Sequence, residues 1–396
     1  MRITPSHQSL IAVAILVTVG IAAEVHKGED LSGRSFASRD LTDAEFKGCV
    51  LDNARFNQTI GAKATWEGSN GKDVNFSSMQ ISEANFSKAQ FPRADFRNSD
   101  LRNSSFKQTV LEGANFQNAV LLDANFEGAN LSKANFVESK FNERAVFSKA
   151  NLEGALFKNN SLEKSDFSKA NLSQAMFTGV RFEGADFSGA TVTGINLAEA
   201  NLTGSNLSKL VFVGSNLSTT ALVESNLKGS SFKDCRFDKA EFQYTKLSGA
   251  KFDRCSFNAT SFYGTDLSGV NFTESLMNGS VFSSKAMSGA NFHRAQLEKA
   301  KFTSDGSMKL SKVDFSGANL RFADFTNAQL FNCDFSGADL SNARFENAFL
   351  TACDFSGTNL STVFWDADNL KKNLFNQDTR FPRSYTPKPS QMRVKR

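Results

Sequence analysis

The chain has 396 residues and a formal charge of +4, with 40 Phe against 3 Tyr and 2 Trp, and only 5 Pro. Its three histidines (His7, His26, His293) are scattered, and its five cysteines fall in no CxxC or HExxH spacing, which excludes an ordinary zinc or haem site. From Lys371 onward the net charge is +7, which leaves residues 1–370 at −3, so the bulk of the chain is close to neutral and its basic character sits in the tail. Tyr and Trp carry a polar atom that needs a partner when buried and Phe does not, so the Phe excess points to one buried slot refilled many times.

In chain order, the first element is the apolar run Leu10–Ala23, preceded by Arg2 and followed at once by Glu24, Lys27, Glu29 and Asp30. Gly20 and Ala22 provide small residues two apart, and the layout is that of a secretory signal peptide. The run is short for a spanning helix, which needs about 20 residues. An uncleaved membrane anchor and a buried capping helix remain as alternatives. The expected segment is therefore residues 1–23, a short hydrophobic helix that is either a signal peptide or an anchor.

From Leu31 a five-residue period takes over. Taking the central residue of each pentad as i, centres run every five residues from Leu31 to Phe141, from Phe147 to Phe302 and from Leu310 to Phe375. Of these 69 centres 67 are apolar, the exceptions being Gly61 and Gly71. The register shifts near 142–146, by one residue, and at 303–309, by three. Position i−2 is small (Ala84, Ala94, Ala124, Ala150, Ala185), and position i−1 is commonly Asn or Asp (Asn85, Asn115, Asp186, Asp314). A period of five fits neither an amphipathic helix nor an alternating strand.

The segments Ala84-Asn85-Phe86-Ser87-Lys88, Ala129-Asn130-Leu131-Ser132-Lys133, Ala185-Asp186-Phe187-Ser188-Gly189 and Ala338-Asp339-Leu340-Ser341-Asn342 resemble the pentapeptide-repeat proteins. The resemblance spans residues 29–375. It implies an all-β fold: a right-handed quadrilateral parallel β-helix with four pentads per coil, about 17 coils, and i and i−2 pointing inward. Residues 373–382, with Thr379-Arg380-Phe381-Pro382, are similar to the closing segment of bacterial members. Residues 376–396 are expected to form a C-terminal cap and a basic, disordered tail.

Leu and Phe alternate at the centres, as in Leu101, Phe106, Leu111, Phe116, Leu121, Phe126, Leu131 and Phe136. In a 20-residue coil this puts Phe on two opposite faces, stacked up the rod. Aromatics vanish over Val192, Leu197, Leu202 and Leu207, and Phe232, Phe252 and Phe272 resume one pentad out of phase, so the Phe faces should swap there. Phe315, Phe335 and Phe355 continue the expected core ladder. Gly61 and Gly71 remove two inward side chains around Trp66, leaving either a loose coil or a small pocket that could serve as a partner site.

Cys49, Cys235, Cys255, Cys333 and Cys353 all occupy i−2 and read as small buried core residues. Cys235 with Cys255, and Cys333 with Cys353, should stack one coil apart, which admits a strained disulfide that a non-reducing mass measurement would detect. Asp95, Asp166, Asp186, Asp314 and Asp334 share their slot with Asn, so they read as repeat surface and not as an acid–base pair. No phosphate loop or nucleophile elbow occurs. No catalytic, cofactor-binding or metal-binding residue is expected, and no substrate.

The expected role is a non-enzymatic surface for an unidentified protein partner, exported to a periplasm, thylakoid lumen or the outside, or anchored facing that side. Membrane contact through Leu10–Ala23 or the basic tail is the other expected association. The resemblance also brings in members that copy the shape and charge of duplex DNA and bind type II topoisomerases. A mimic needs a strongly acidic surface, and a body at −3 does not provide one, so a nucleic-acid-like role is the alternative and nucleic acid itself is not an expected partner. A membrane-anchored structural protein is a further alternative.

Overall fold

A computed structural model describes residues 23–284, 286–303, 308–365, 373–383 and 386. The expected N-terminal helix, all but the last residue of the apolar run, and the basic tail from residue 387 lie outside the described residues. The rest is a right-handed parallel β-solenoid of about 16 turns, close to the 17 coils expected, and no helix occurs among the described residues.

One pentad shows how the sequence builds the coil. Ser104 and Phe106 point inward and are buried. Ser105 between them makes parallel bridges to Asn85 in the coil before and Asn125 in the coil after. Lys107 and Gln108 then turn the corner, with Gln108 at φ 56, and the Thr109 N–H closes the turn on the Phe106 carbonyl at 3.3 Å. A positive φ at the second corner residue recurs up the rod, filled by Gly, Asn, Asp, Lys or Gln. Asn and Asp tolerate this conformation and Gly adopts it freely, while longer side chains hold it at a cost of about 1–2 kcal/mol. Coil-to-coil hydrogen bonds from the same residue, such as Gln108 N–H to Glu127 O at 2.9 Å, oppose that cost.

The Asn or Asp at i−1 has a local task. Its side-chain oxygen accepts the N–H of residue i+1, as in Ser77 to Asn75 at 2.9 Å and Ser188 to Asp186 at 2.9 Å. This side-chain turn satisfies a corner N–H. The small residue at i−2 has another. Where it is Ser or Thr, its hydroxyl commonly donates to a central carbonyl, either of the preceding coil, as from Ser99 to Phe76 at 2.7 Å and from Thr260 to Phe237 at 2.8 Å, or of its own coil, as from Thr59 to Phe56 at 2.8 Å. The buried thiol of Cys333 does the same to Leu310 at 3.4 Å.

Most pairing is single-residue bridges, with short strands where the backbone flattens. Val211–Val213, Ser231–Lys233 and Lys251–Asp253 pair in parallel, in a 20-residue register. The shifts in the repeat appear as longer coils: Asn125 pairs with Val146, and Asn291 with Asp314. The extra residue of the first shift lies at the corner around Glu143 and Arg144, and the columns continue past both shifts, Phe126 stacking on Phe147 and Phe292 on Phe315.

The core is two aromatic columns in contact. Phe106 stacks on Phe126 at 4.8 Å with rings within 6° of parallel, and Phe116 on Phe136 at 4.9 Å within 3°. Across the interior Phe116 meets Phe126 edge-on at 5.7 Å and 88°. Two Phe columns thus fill the cross-section between them, and Leu takes the remaining two faces. Both stacked and edge-on arrangements suit the ring quadrupole. Above the aromatic-free coil, Phe212, Phe232, Phe252 and Phe272 stack on the column that holds Leu172 and Val192 lower down. Phe242, Phe262 and Phe282 continue the column of Phe182 and Leu202. The aromatic faces therefore exchange. Phe315, Phe335 and Phe355 carry the exchanged ladder onward. Phe237 and Phe257 add a third stacked face at 4.9 Å that simple alternation does not anticipate.

At the C-terminal end, the Thr379 hydroxyl donates to Phe355 O at 3.1 Å and the Phe381 ring meets Phe375 edge-on at 5.0 Å. This closing element sets an aromatic side chain on the last ladder ring, Phe375, and bonds the backbone of Phe355 one coil below it.

Candidate functional site: the outer surface of the rod

The trio singled out near the N-terminal end does not form a pocket. Trp66 is 0% exposed, stacked at 5.5 Å on Phe46 and 4.8 Å on Phe86, and edge-on to Phe56 and Phe76. A Cβ on Gly71 would lie 2.7 Å from the backbone of Leu51, and one on Gly61, which sits at φ 135, would lie 2.6 Å from the Thr42 nitrogen. The glycines therefore mark close approach of one coil to the next, on the two faces flanking an indole larger than the ring it replaces. The Trp66 Nε1 is buried without a hydrogen-bond partner, so this is a core adjustment and not a partner surface.

The cysteines are likewise interior. Cys49, Cys235, Cys255, Cys333 and Cys353 are all buried free thiols. The Cys255 thiol is pushed up by its contact with the Cys235 thiol and by burial, Cys333 likewise by Cys353 and burial, and Cys49 by burial. Protonated, enclosed thiols are poor nucleophiles. Among the described residues no group of three His, Cys, Asp or Glu is placed to hold a metal ion. Among the described residues no helix is long and apolar enough to cross a membrane.

The candidate carboxylates belong to the surface lattice. Asp166 accepts the Ser168 N–H, and Asp186 accepts from Ser188 and from the Asn206 amide one coil up at 3.0 Å. Asp314 and Asp334 accept from Ser316 and Ser336, and Asp95 pairs with Arg97 at 2.8 Å. Other charges pair between coils: Arg93 with Asp73 at 2.6 Å, Lys149 with Glu127 at 2.8 Å, Arg254 with Asp234 at 3.0 Å. The Arg93 hydrogen bonds hold the Asp73 carboxyl below its ordinary range, and Lys149 does the same for Glu127. The outer surface is a mixed-sign lattice of stacked pairs.

Several surface features are not anticipated by a reading of the centres alone. Lys88, Lys107 and Lys149 gather around Glu127 in an open groove of about 440 Å³. Tyr244 and Tyr263 stand exposed, as do Phe322, Phe349 and Phe364 near the C-terminal end. Their signal in the sequence is an aromatic residue at i−1, i+1 or i+2, where polar residues are the rule.

Comparison with known proteins agrees with this geometry. The chain matches the pentapeptide repeat region family over residues 39–116, 114–187 and 235–307, and the pentapeptide repeats (8 copies) family over 181–218, 307–337 and 333–363. It belongs to the pentapeptide-repeat family. Similar solved structures include HetL, a pentapeptide repeat protein involved in heterocyst differentiation regulation from the cyanobacterium Nostoc. It is 21% identical, with 59% of this chain and 91% of that one covered and a TM-score of 0.28. Full-length QnrB1, a plasmid-mediated fluoroquinolone resistance protein, is 17% identical over 65% of this chain and 85% of its own, with a TM-score of 0.21. A pentapeptide repeat protein of the Arabidopsis thaliana thylakoid lumen is 22% identical over 39% of this chain and 68% of that one, with a TM-score of 0.14. No curated protein matches the chain.

Proposed function

We propose that this chain is an exported, non-enzymatic interaction scaffold whose partner binds the outside of the rod. The observation that supports this most is the division of labour in the pentad. Positions i and i−2 are committed to a close-packed core, and all chemical variety is displayed at i−1, i+1 and i+2. A long, regular rod offers an extended surface to a partner, as repeat architectures do. The layout of Leu10–Ala23 supports export.

The test is cell fractionation with N-terminal sequencing of the mature chain. The expected result is a chain beginning close to Glu24 and recovered outside the cytoplasm. A full-length chain found only in the cytoplasm sinks the export half of the reading. Crosslinking in intact cells should trap a protein partner on the repeat body. A DNA-mimicking role predicts inhibition or protection in a gyrase supercoiling assay. The paired, mixed-sign surface predicts no effect there, and an effect would replace the scaffold reading.

A further inference from the structure

We propose that the cleft beside Tyr244 is a glycan-binding site, taking a pyranose ring of an oligosaccharide against the Tyr244 side chain. The proposal deepens the scaffold reading and rests on it only in placing the ligand on the outside of the rod.

The cleft is built by a departure from the repeat. Tyr244 occupies the second corner residue at φ 55, the corner conformation that recurs up the rod, and puts an aromatic ring at a position that is mostly small or polar. The corner one coil above is Gly264, and a Cβ there would lie 2.5 Å from the Tyr244 ring. Glycine is thus what lets the ring lie against the next coil. Tyr263 meets the same ring edge-on at 5.9 Å and braces it. Tyr244 nevertheless remains 47% exposed.

The rest of the cleft is short and polar. Lys228, Lys246, Ser248, Asp266 and Ser268 line an open volume of about 400 Å³ with Tyr244 as its wall. That is within the range of small-ligand sites, about 300–1,000 Å³. An aromatic wall beside ammonium, carboxylate and hydroxyl groups matches a sugar, which has an apolar C–H face and a rim of hydroxyls that both donate and accept. Two lysines offset by Asp266 are a weak match to a polyphosphate. One aromatic ring in a polar cleft is far smaller than the roughly 800 Å² per partner of a stable protein interface.

The full chain should be titrated with cellotriose, maltotriose, chitotriose and trigalacturonate by calorimetry and saturation-transfer NMR. The expected result is transfer to ring protons of at least one trisaccharide with a Kd below about 5 mM. Tyr244→Phe should retain binding and Tyr244→Ala should weaken it about tenfold, while Phe322→Ala, at a distant exposed aromatic, leaves it unchanged. No binding of any of the four at about 10 mM overturns the proposal, as does wild-type affinity in folded Tyr244→Ala. If circular dichroism shows Tyr244→Ala unfolded, the doubly substituted Lys246→Ala, Asp266→Asn chain decides, and unchanged affinity there overturns the site. An exported chain that binds none of the sugars rejects this inference alone. A cytoplasmic chain that binds one rejects export alone.

Discussion

Phe177 and Phe182 lie 5.1 Å apart across a corner of the rod with their rings inclined at 70°. Phe177 tops one of the lower aromatic columns, and Phe182 belongs to a column that is mainly aliphatic below it and aromatic above it. Together with Phe187, 5.2 Å further on, they end the first ladder. The next coil, Val192 to Leu207, has no aromatic centre. The exchange of faces falls at this coil, above which Phe212 and Phe232 stack on the column of Val192.

The ladder makes the stability of the rod local. Phe116 touches stacked rings on both sides and edge-on rings across the interior. Phe116→Ala should cost about 3–5 kcal/mol, read by hydrogen exchange as loss of protection in the coils around residue 116. Protection beyond the aromatic-free coil should stay near wild type, since a solenoid couples nearest neighbours. Uniform loss along the whole rod would contradict this.

Gly71 tests the close approach beside Trp66. Gly71→Ala puts a methyl 2.7 Å from Leu51 backbone and should cost about 1–3 kcal/mol as an overpacked core does. Gly48, at φ 66 with nothing within 4 Å of its Cβ position, should accept Asn at a cost of about 0.5 kcal/mol or less. Thermal melts of the two variants should separate clearly.

Thr260→Val removes the hydroxyl that donates to Phe237 O while keeping shape. It should cost about 0.5–1.5 kcal/mol, and Thr260→Ser should recover most of it. Denaturant titration of the three chains measures this directly. A neutral Val would mean the inward hydroxyls are only small fillers.

Acid should loosen the surface lattice. Asp73, Glu127 and Glu143 have carboxyls lowered by hydrogen bonds from Arg93, Lys149 and Lys164, and Asp30 and Asp40 by those from Ser32 and Thr42. A lowered folded value favours the folded state above the ordinary carboxylate range, and the contribution fades as pH falls through and below that range. Melting temperature should therefore hold from neutrality down to about pH 5 and fall below about pH 4. Each pair is exposed, so Asp73→Asn at neutral pH should change little, and added salt should weaken the acid effect.

The thiols give a count. Native chain should react slowly with iodoacetamide because all five thiols are buried, and denatured chain should take up five equivalents. Rapid native labelling of Cys235 or Cys255 would show that the coil opens there.

The sequence alone determined the coil. A five-residue period with apolar centres, small i−2 and Asn or Asp at i−1 dictates which side chains enter the core, because every pentad repeats the same turn and the same inward directions. The two Phe registers were legible for the same reason: stacked coils turn a sequence spacing of 20 into direct contact. Tertiary structure decided what sits between pentads. Gly61 and Gly71 read as gaps beside Trp66 and proved to be points of close backbone approach, because coil-to-coil distance is set by neighbours 20 residues away. Tyr244 and Gly264 are 20 apart, so the period stacks their corners, but only the tertiary structure shows the Tyr244 ring folded against the α-carbon of Gly264 and not out into solvent.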